Sequence, residues 1–203
     1  MRGERLTADG TSAIRDQIRE RYRRVAACAN GHFPYPVGRE SLHRLGYEPA
    51  GLSALPAEVV EGYVGVGRPF AIRRPAAGER VLDVGCGSGV DTLLAALAVG
   101  PGGVAVGIDS TRAMLERPAR AARSRRAGPA RFVAADAEAL PFEDDAFDLV
   151  VSNGVLNLVP DKGAAFREVR RVLRPGGCFA AADLLVVEDV PEAVLEDVDA
   201  WSN

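Results

Sequence analysis

The apolar positions along the chain fall into two regimes. Over residues 12–29 (SAIRDQIRERYRRVAACA), Ile14, Ile18, Tyr22 and Val25 recur at helical spacing behind Thr11 or Ser12 as the cap, and Asn30-Gly31 stops the run. Residues 31–55 are rich in Pro and Gly, and little beyond a short turn of helix is expected there. Pro56 can begin a short helix, PAEVVEGYV, which the glycines of GVGRPF end. From residue 79 the pattern changes. Short apolar runs predict strands over 80–84, 104–108, 131–134, 147–151 and 178–187, and between and after them helices are predicted over 90–99, 111–124, 161–173 and 191–200. Strands alternating with helices imply βαβ units. The expected fold class is therefore α/β, a doubly wound, mainly parallel Rossmann-like sheet of about five strands. The expected division is an N-terminal helical and loop extension, 1–78, and an α/β domain, 79–203.

Composition narrows the classes of function. The 203 residues are 47% hydrophobic and 26% charged, with net charge −3, which suits one domain with a sizeable core. A slightly acidic chain argues against nucleic acid or an anionic membrane as main partner. MRGERLTADG has no apolar signal region and no stretch is long enough to span a bilayer, so a cytoplasmic location is expected. Three cysteines do not make a disulfide framework, and no metal site is expected. The basic run 120–126 (RAARSRR) reads as a solvated helix face.

Candidate chemistry begins at VLDVGCGSG, residues 81–89. Gly85, Gly87 and Gly89 permit a sharp turn and close approach of a ligand to the backbone, and the helix that follows offers free N–H groups. Asp109 stands at the end of the next strand, 20 residues beyond Gly89. A carboxylate there can accept both hydroxyls of a ribose, which selects an adenosine-type ligand; capping the helix after it is the compatible alternative. Asp83, two residues before the first glycine, would repel a pyrophosphate. It suits a cationic group, an ammonium or a neighbouring sulfonium, and so points to S-adenosylmethionine (SAM) in preference to a dinucleotide.

Four runs, VLDVGCGSGVDTLLAA, GIDST, FVAADAEALPFEDDAFDLVVSN and REVRRVLRPGG, resemble the class I SAM-dependent methyltransferases over about residues 56–187. The resemblance implies that the glycine loop carries the methionine part and that Asp109, with Ser110 beside it, takes the ribose. It implies that Asp136 and Ala137 contact adenine through a carboxylate and a backbone N–H, and that Asn153 lines the methyl end. A turn role for Asp136 is the alternative.

More finely, FPYPVGRESLHRLGY, LPAEVVEGYVGVGRPF, SNGVLNLVPDK and EAVLEDVDAWSN resemble arsenite methyltransferases and their relatives. In that group the N-terminal helix with its Tyr (Tyr22 here) and the GVGRPF loop (Gly65, Gly67) help close over SAM. It also holds trivalent arsenic by convergent thiolates, because soft ions favour sulfur. One usual cysteine position is Gly154 here, and another would follow Asn203. Cys86 reads as packing within the glycine turn, Cys178 starts the fifth strand on the edge away from ligand, and Cys28 is a single thiol in the first helix. No trithiolate site is therefore expected.

A small-molecule acceptor methylated by direct in-line transfer is expected, since positioning supplies much of the rate. His32, His43, Glu40 and Asp183 are candidate bases for a harder acceptor, and Tyr35 and Tyr63 candidate pocket walls, although a structural role is expected for each. Catalytic residues stay unassigned. A methyltransferase for an unidentified organic metabolite, a non-catalytic or truncated SAM-binding module and, more distantly, a dinucleotide oxidoreductase are the alternatives. The sheet is expected to lack the strand pair that usually closes it after the fifth strand. That would leave the fifth strand as an apolar edge through which two copies could associate.

Overall fold

A computed structural model of the protein describes residues 8–123 and 128–185. Seven helices and five strands follow along these residues: α1 (Ala8–Ala27), α2 (Gly38–Arg44), α3 (Pro49–Ser53), α4 (Ala57–Glu61), β1 (Arg80–Val84), α5 (Val90–Val99), β2 (Val104–Asp109), α6 (Arg112–Ala122), β3 (Ala130–Ala134), β4 (Phe147–Asn153), α7 (Lys162–Val172) and β5 (Leu173–Ala182). The strands form one sheet in the order β3-β2-β1-β4-β5, with every pair parallel. The expected doubly wound α/β fold is therefore present.

Strand parity decides what each face buries. In β1, Leu82 and Val84 join Val150 of β4 and Ile108 of β2 against Ala165, Val169 and Val172 of α7. Val81 points the other way, with Leu149 and Val151, onto Ala95, Ala96 and Val99 of α5. A second layer outside α5 comes from the N-terminal region: Leu42, Leu52, Leu55, Val59 and Val60 pack on Val90 and Leu93. The first helix docks separately, through Val25 against Met114 of α6. Burying each such aliphatic side chain contributes roughly 1.5–3 kcal/mol.

Several boundaries differ from expectation. The first helix begins at Ala8, so Thr11 and Ser12 lie inside it rather than at its cap. The stretch after Gly31 contains two short helices, α2 and α3, each contributing buried residues to the layer over α5. The fifth strand starts at Leu173, not 178, because Leu173 pairs with Phe147 before the register slips across Arg174–Gly177. It ends at Ala182. The helix expected over 191–200 and the tail EAVLEDVDAWSN lie outside the described residues, as does part of the basic run, 124–126. Among the described residues, β5 has a strand neighbour on one side only. No helix among them is long and apolar enough to cross a membrane.

Candidate functional site

The order in which strands are added to the sheet reverses between β1 and β4, and a crevice opens above the carboxyl ends of the strands at that point. It encloses about 810 Å³ of empty space, its mouth included. The floor is built by strand exits: Gly85 and Gly87 after β1, Asp109 and Ser110 at the end of β2, Asp136 and Ala137 after β3, and Asn153 and Gly154 at the end of β4. Helix α1 lies across it, contributing Arg15, Ile18, Arg19 and Tyr22. These four share one helix face by their spacing of three and four. Two of them supply the helical pattern legible in sequence, whereas the two arginines carry no such signal.

Asp109 is held in place by the backbone. Its Oδ1 accepts from the Thr111 N–H at 2.8 Å and its Oδ2 from the Gly87 N–H at 3.1 Å. Each oxygen keeps a lone pair for a ligand hydroxyl. Burial pushes the carboxyl up to about 6, against the pull of the Thr111 and Gly87 N–H groups. The cap of α6 is Thr111, so the Asp109 carboxylate joins the start of that helix to the glycine loop at the crevice floor.

Asp136, on the crevice floor after β3, takes the turn role. Its Oδ1 accepts from the Glu138 N–H at 3.0 Å in a tight turn. Its Oδ2 faces the guanidiniums of Arg15, at 3.9 Å, and Arg19, at 3.8 Å, across the crevice. Arg15 also pairs with Glu138. These contacts bring α1 down over the β2–β3 half of the site. Tyr22 faces the crevice further along. Burial first and Tyr35 second hold its phenol well above its ordinary value, with Asp109 and Asp183 adding to the rise, so it stays a neutral donor.

Two residues read as cofactor contacts stand elsewhere. Asp83 is 2% exposed and does not line the crevice. Its parity puts it on the α5 face, where Oδ2 accepts from the Thr92 hydroxyl at 2.6 Å. Gly89 is the left-handed cap of α5 (φ 84°), and a Cβ there would overlap Pro118 and come within 3.0 Å of Phe132. It serves helix packing. Asn153 does reach the crevice floor, but its amide is already engaged: Oδ1 accepts from the N–H groups of Val66 and Gly67, each at 3.0 Å.

Burial, and then the nearby Asp91 carboxyl, raise Asp83 well above the usual carboxylate range. A group raised in the folded state stabilises fully below its unfolded value and loses that contribution as pH climbs towards the folded one. The melting temperature of Asp83→Asn should thus match that of wild type near pH 4. By pH 8 it should exceed wild type by roughly 5 °C, as read by circular dichroism. An offset that does not change with pH would refute this.

The other candidates are structurally occupied. Asp183 accepts from the Leu156 N–H at 2.7 Å and from Asn157, anchoring the turn over Leu156–Leu158. Glu40 pairs with Arg44 at 2.6 Å, and neither His32 nor His43 lines the crevice. Tyr35 packs on Phe33, ring centroids 5.1 Å apart. The thiols are dispersed: Cys28 exposed, Cys86 buried, Cys178 half-buried at the amino end of the β4–β5 ladder. Burial raises the Cys86 thiol well above its ordinary value, so it is no thiolate. No group of three or more metal-ligating side chains occurs among the described residues.

The chain matches a family model described as a methyltransferase domain over residues 75–203. It is 32% identical to an arsenite methyltransferase of Halobacterium salinarum, over 98% of this chain and 55% of that one. It is 43% identical to a demethylmenaquinone methyltransferase of Roseiflexus castenholzii, over 56% of this chain and 46% of the relative. Among solved structures, an arsenic(III) S-adenosylmethionine methyltransferase from Chlamydomonas reinhardtii superposes with a TM-score of 0.66 at 39% identity. That match covers 71% of this chain and 51% of the other. The chain spans about half the length of these relatives.

Proposed function

The chain belongs to the methyltransferase-domain family, and on that premise we propose that it is a SAM-dependent methyltransferase that acts on a small molecule by direct in-line transfer. The observation that carries the reading is Asp109. Its carboxylate, fixed by the Gly87 and Thr111 N–H groups, stands at the end of β2 over a crevice floored by the glycine turn. Ribose hydroxyls would donate to it, adenine would lie along Asp136 and Ala137, and the methionine arm would follow Gly85 and Gly87 towards Asn153. Backbone approach there is open, since even a Cβ on Gly87 would meet only Met114, at 3.5 Å. When bound, SAM supplies an electrophilic methyl on a sulfonium. The chain contributes binding, orientation and exclusion of water by α1, and no protein base is required for a soft or already ionised acceptor.

The relatives named for arsenic support a likeness to that group, and the acceptor end supports a difference from it. Val64, Gly154, Val155, Leu158 and Val159 line the crevice beyond Asn153, and no thiol stands among them. An apolar lining without sulfur favours an organic acceptor over a thiolate-bound metalloid. Calorimetry with S-adenosylhomocysteine tests the cofactor, and methyl incorporation from labelled SAM across phenols, quinols, thiols and arsenite tests the acceptor. Binding of NADH in place of S-adenosylhomocysteine would defeat the proposal. Binding without turnover of any acceptor would leave a SAM-binding module, the second reading.

A further inference from the structure

Behind the crevice wall, four polar side chains from four separate segments meet. Tyr47 lies between α2 and α3, Tyr63 follows α4, Asp91 is in the first turn of α5 and Asn153 ends β4. Three are nearly excluded from water: Tyr47, Tyr63 and Asp91 are each 5% exposed. Tyr47 donates to Asp91 Oδ1 at 2.8 Å, and its hydroxyl lies 3.1 Å from that of Tyr63. Tyr63 donates to the Gly67 carbonyl at 2.9 Å. The Asn153 Nδ2 protons have Tyr63 Oη (2.9 Å), the Gly67 carbonyl (2.9 Å) and Asp91 Oδ2 (3.0 Å) as acceptors. Its Oδ1 takes the N–H groups of Val66 and Gly67.

Every polar atom of the Asn153 amide is thus committed to the 64–67 loop or to the groups behind it. The loop is packed closely against them: a Cβ on Gly65 would overlap the Tyr63 hydroxyl and reach within 2.7 Å of Asn153 Nδ2, and one on Gly67 would overlap Ala182. Packing alone does not call for such a cluster, since burying a carboxyl and two phenols costs free energy that apolar side chains would avoid. What a satisfied polar cluster adds is one defined arrangement. The arrangement has a purpose where it meets the crevice, because Val64 and Asn153 are part of its lining.

We infer that Tyr47, Tyr63 and Asp91 are positioning residues. They orient the Asn153 amide, which latches the 64–67 loop into the crevice wall at the methionine end. The inference rests on the proposed cofactor site. It reassigns Asn153 from a direct contact to a latch, and it predicts that the two halves of the cofactor respond differently. The adenosine half, held by Asp109 and the β3 exit, does not touch the latch; the amino-acid arm does.

Tyr63→Phe, Tyr47→Phe and Asp91→Asn test it. The two Phe variants keep the ring pair, whose centroids are 5.6 Å apart, and lose only a hydroxyl. Each variant and the wild type are titrated with S-adenosylhomocysteine and with adenosine, and amide exchange at Val66 and Gly67 is followed by NMR. For Tyr63→Phe, S-adenosylhomocysteine should bind about tenfold more weakly and adenosine within twofold of wild type, while exchange at Val66 and Gly67 accelerates about tenfold. Equal weakening for both ligands, or faster exchange with unchanged S-adenosylhomocysteine affinity, would reduce the cluster to a fold element and overturn the inference. A wild type that binds neither ligand would instead defeat the cofactor reading. In that case the inference falls with it, and the wild-type titration tells the two failures apart.

Discussion

Asp109→Ala should weaken S-adenosylhomocysteine binding by about a hundredfold or more. Each charge-assisted hydrogen bond from a ribose hydroxyl contributes roughly 1.5–3 kcal/mol, and a factor of ten in affinity is about 1.4 kcal/mol. The substitution also leaves the Gly87 and Thr111 N–H groups without their acceptor, so the glycine loop loses one of its ties to β2 and keeps that from the Cys86 N–H to the Ile108 carbonyl. Asp109→Asn keeps the shape and removes the charge, and should fall between the two.

A pH titration isolates that charge. Asp109 is raised to about 6, and in the proposed binding mode ribose hydroxyls would donate to its ionised form. Affinity should therefore be roughly tenfold lower at pH 5 than at pH 7.5, with a flat profile in Asp109→Asn. Unfolding would not produce this trend through Asp109 itself. A carboxyl whose folded value is raised makes the fold more stable as pH falls through 6, so by its own linkage stability moves opposite to affinity. Wild-type affinity that does not change between pH 5 and 7.5 would remove Asp109 from the ribose site.

Gly85→Ala is the second large effect, and it acts on fold and site together. Gly85 has φ 72°, in the left-handed region, and a Cβ there would overlap the Val155 side chain. Backbone strain of roughly 1 kcal/mol adds to overpacking of about 1–3 kcal/mol, which implies a fall in melting temperature of roughly 5–10 °C. Val155 lines the crevice, so relieving the overlap moves the wall, and S-adenosylhomocysteine affinity should drop at least about tenfold. Gly78→Ala is the control. Gly78 has φ 81° with nothing within 4 Å of a Cβ, so it carries the strain alone. Equal melting temperatures for the two variants would show that Val155 yields at no cost.

Much of the fold was legible because the strands are short apolar runs with parity, separated by glycines. Val81, Leu82 and Val84 alternate between two helical layers as their spacing predicts. The second layer over α5 was not legible. Leu42 and Leu52 come from short helices, and Tyr47 and Leu55 from the turns beside them, within a Pro- and Gly-rich segment whose pattern is too brief to show a period. The slipped start of β5 was hidden for a similar reason: PGG reads as a break, yet the strand pairs on both sides of it.

The sequence by itself determined where the crevice lies and which acids and glycines floor it. A glycine turn after a first apolar strand, an acid ending the second and an acid after the third put Gly85, Gly87, Asp109 and Asp136 at one edge of any parallel sheet. Tertiary structure alone decided which polar residues face that crevice and which face the core. Asp83 is buried on the α5 face beside Thr92, and Asn153, at the crevice floor, turns its amide towards Asp91 and two tyrosines that lie 28 and 44 residues before Asp91 in the chain. A strand's alternation says which side a residue takes, but what waits on that side depends on the helices packed there. So the acid expected to meet a cation is buried beneath the turn, and the amide expected to meet the methyl end is committed to a loop.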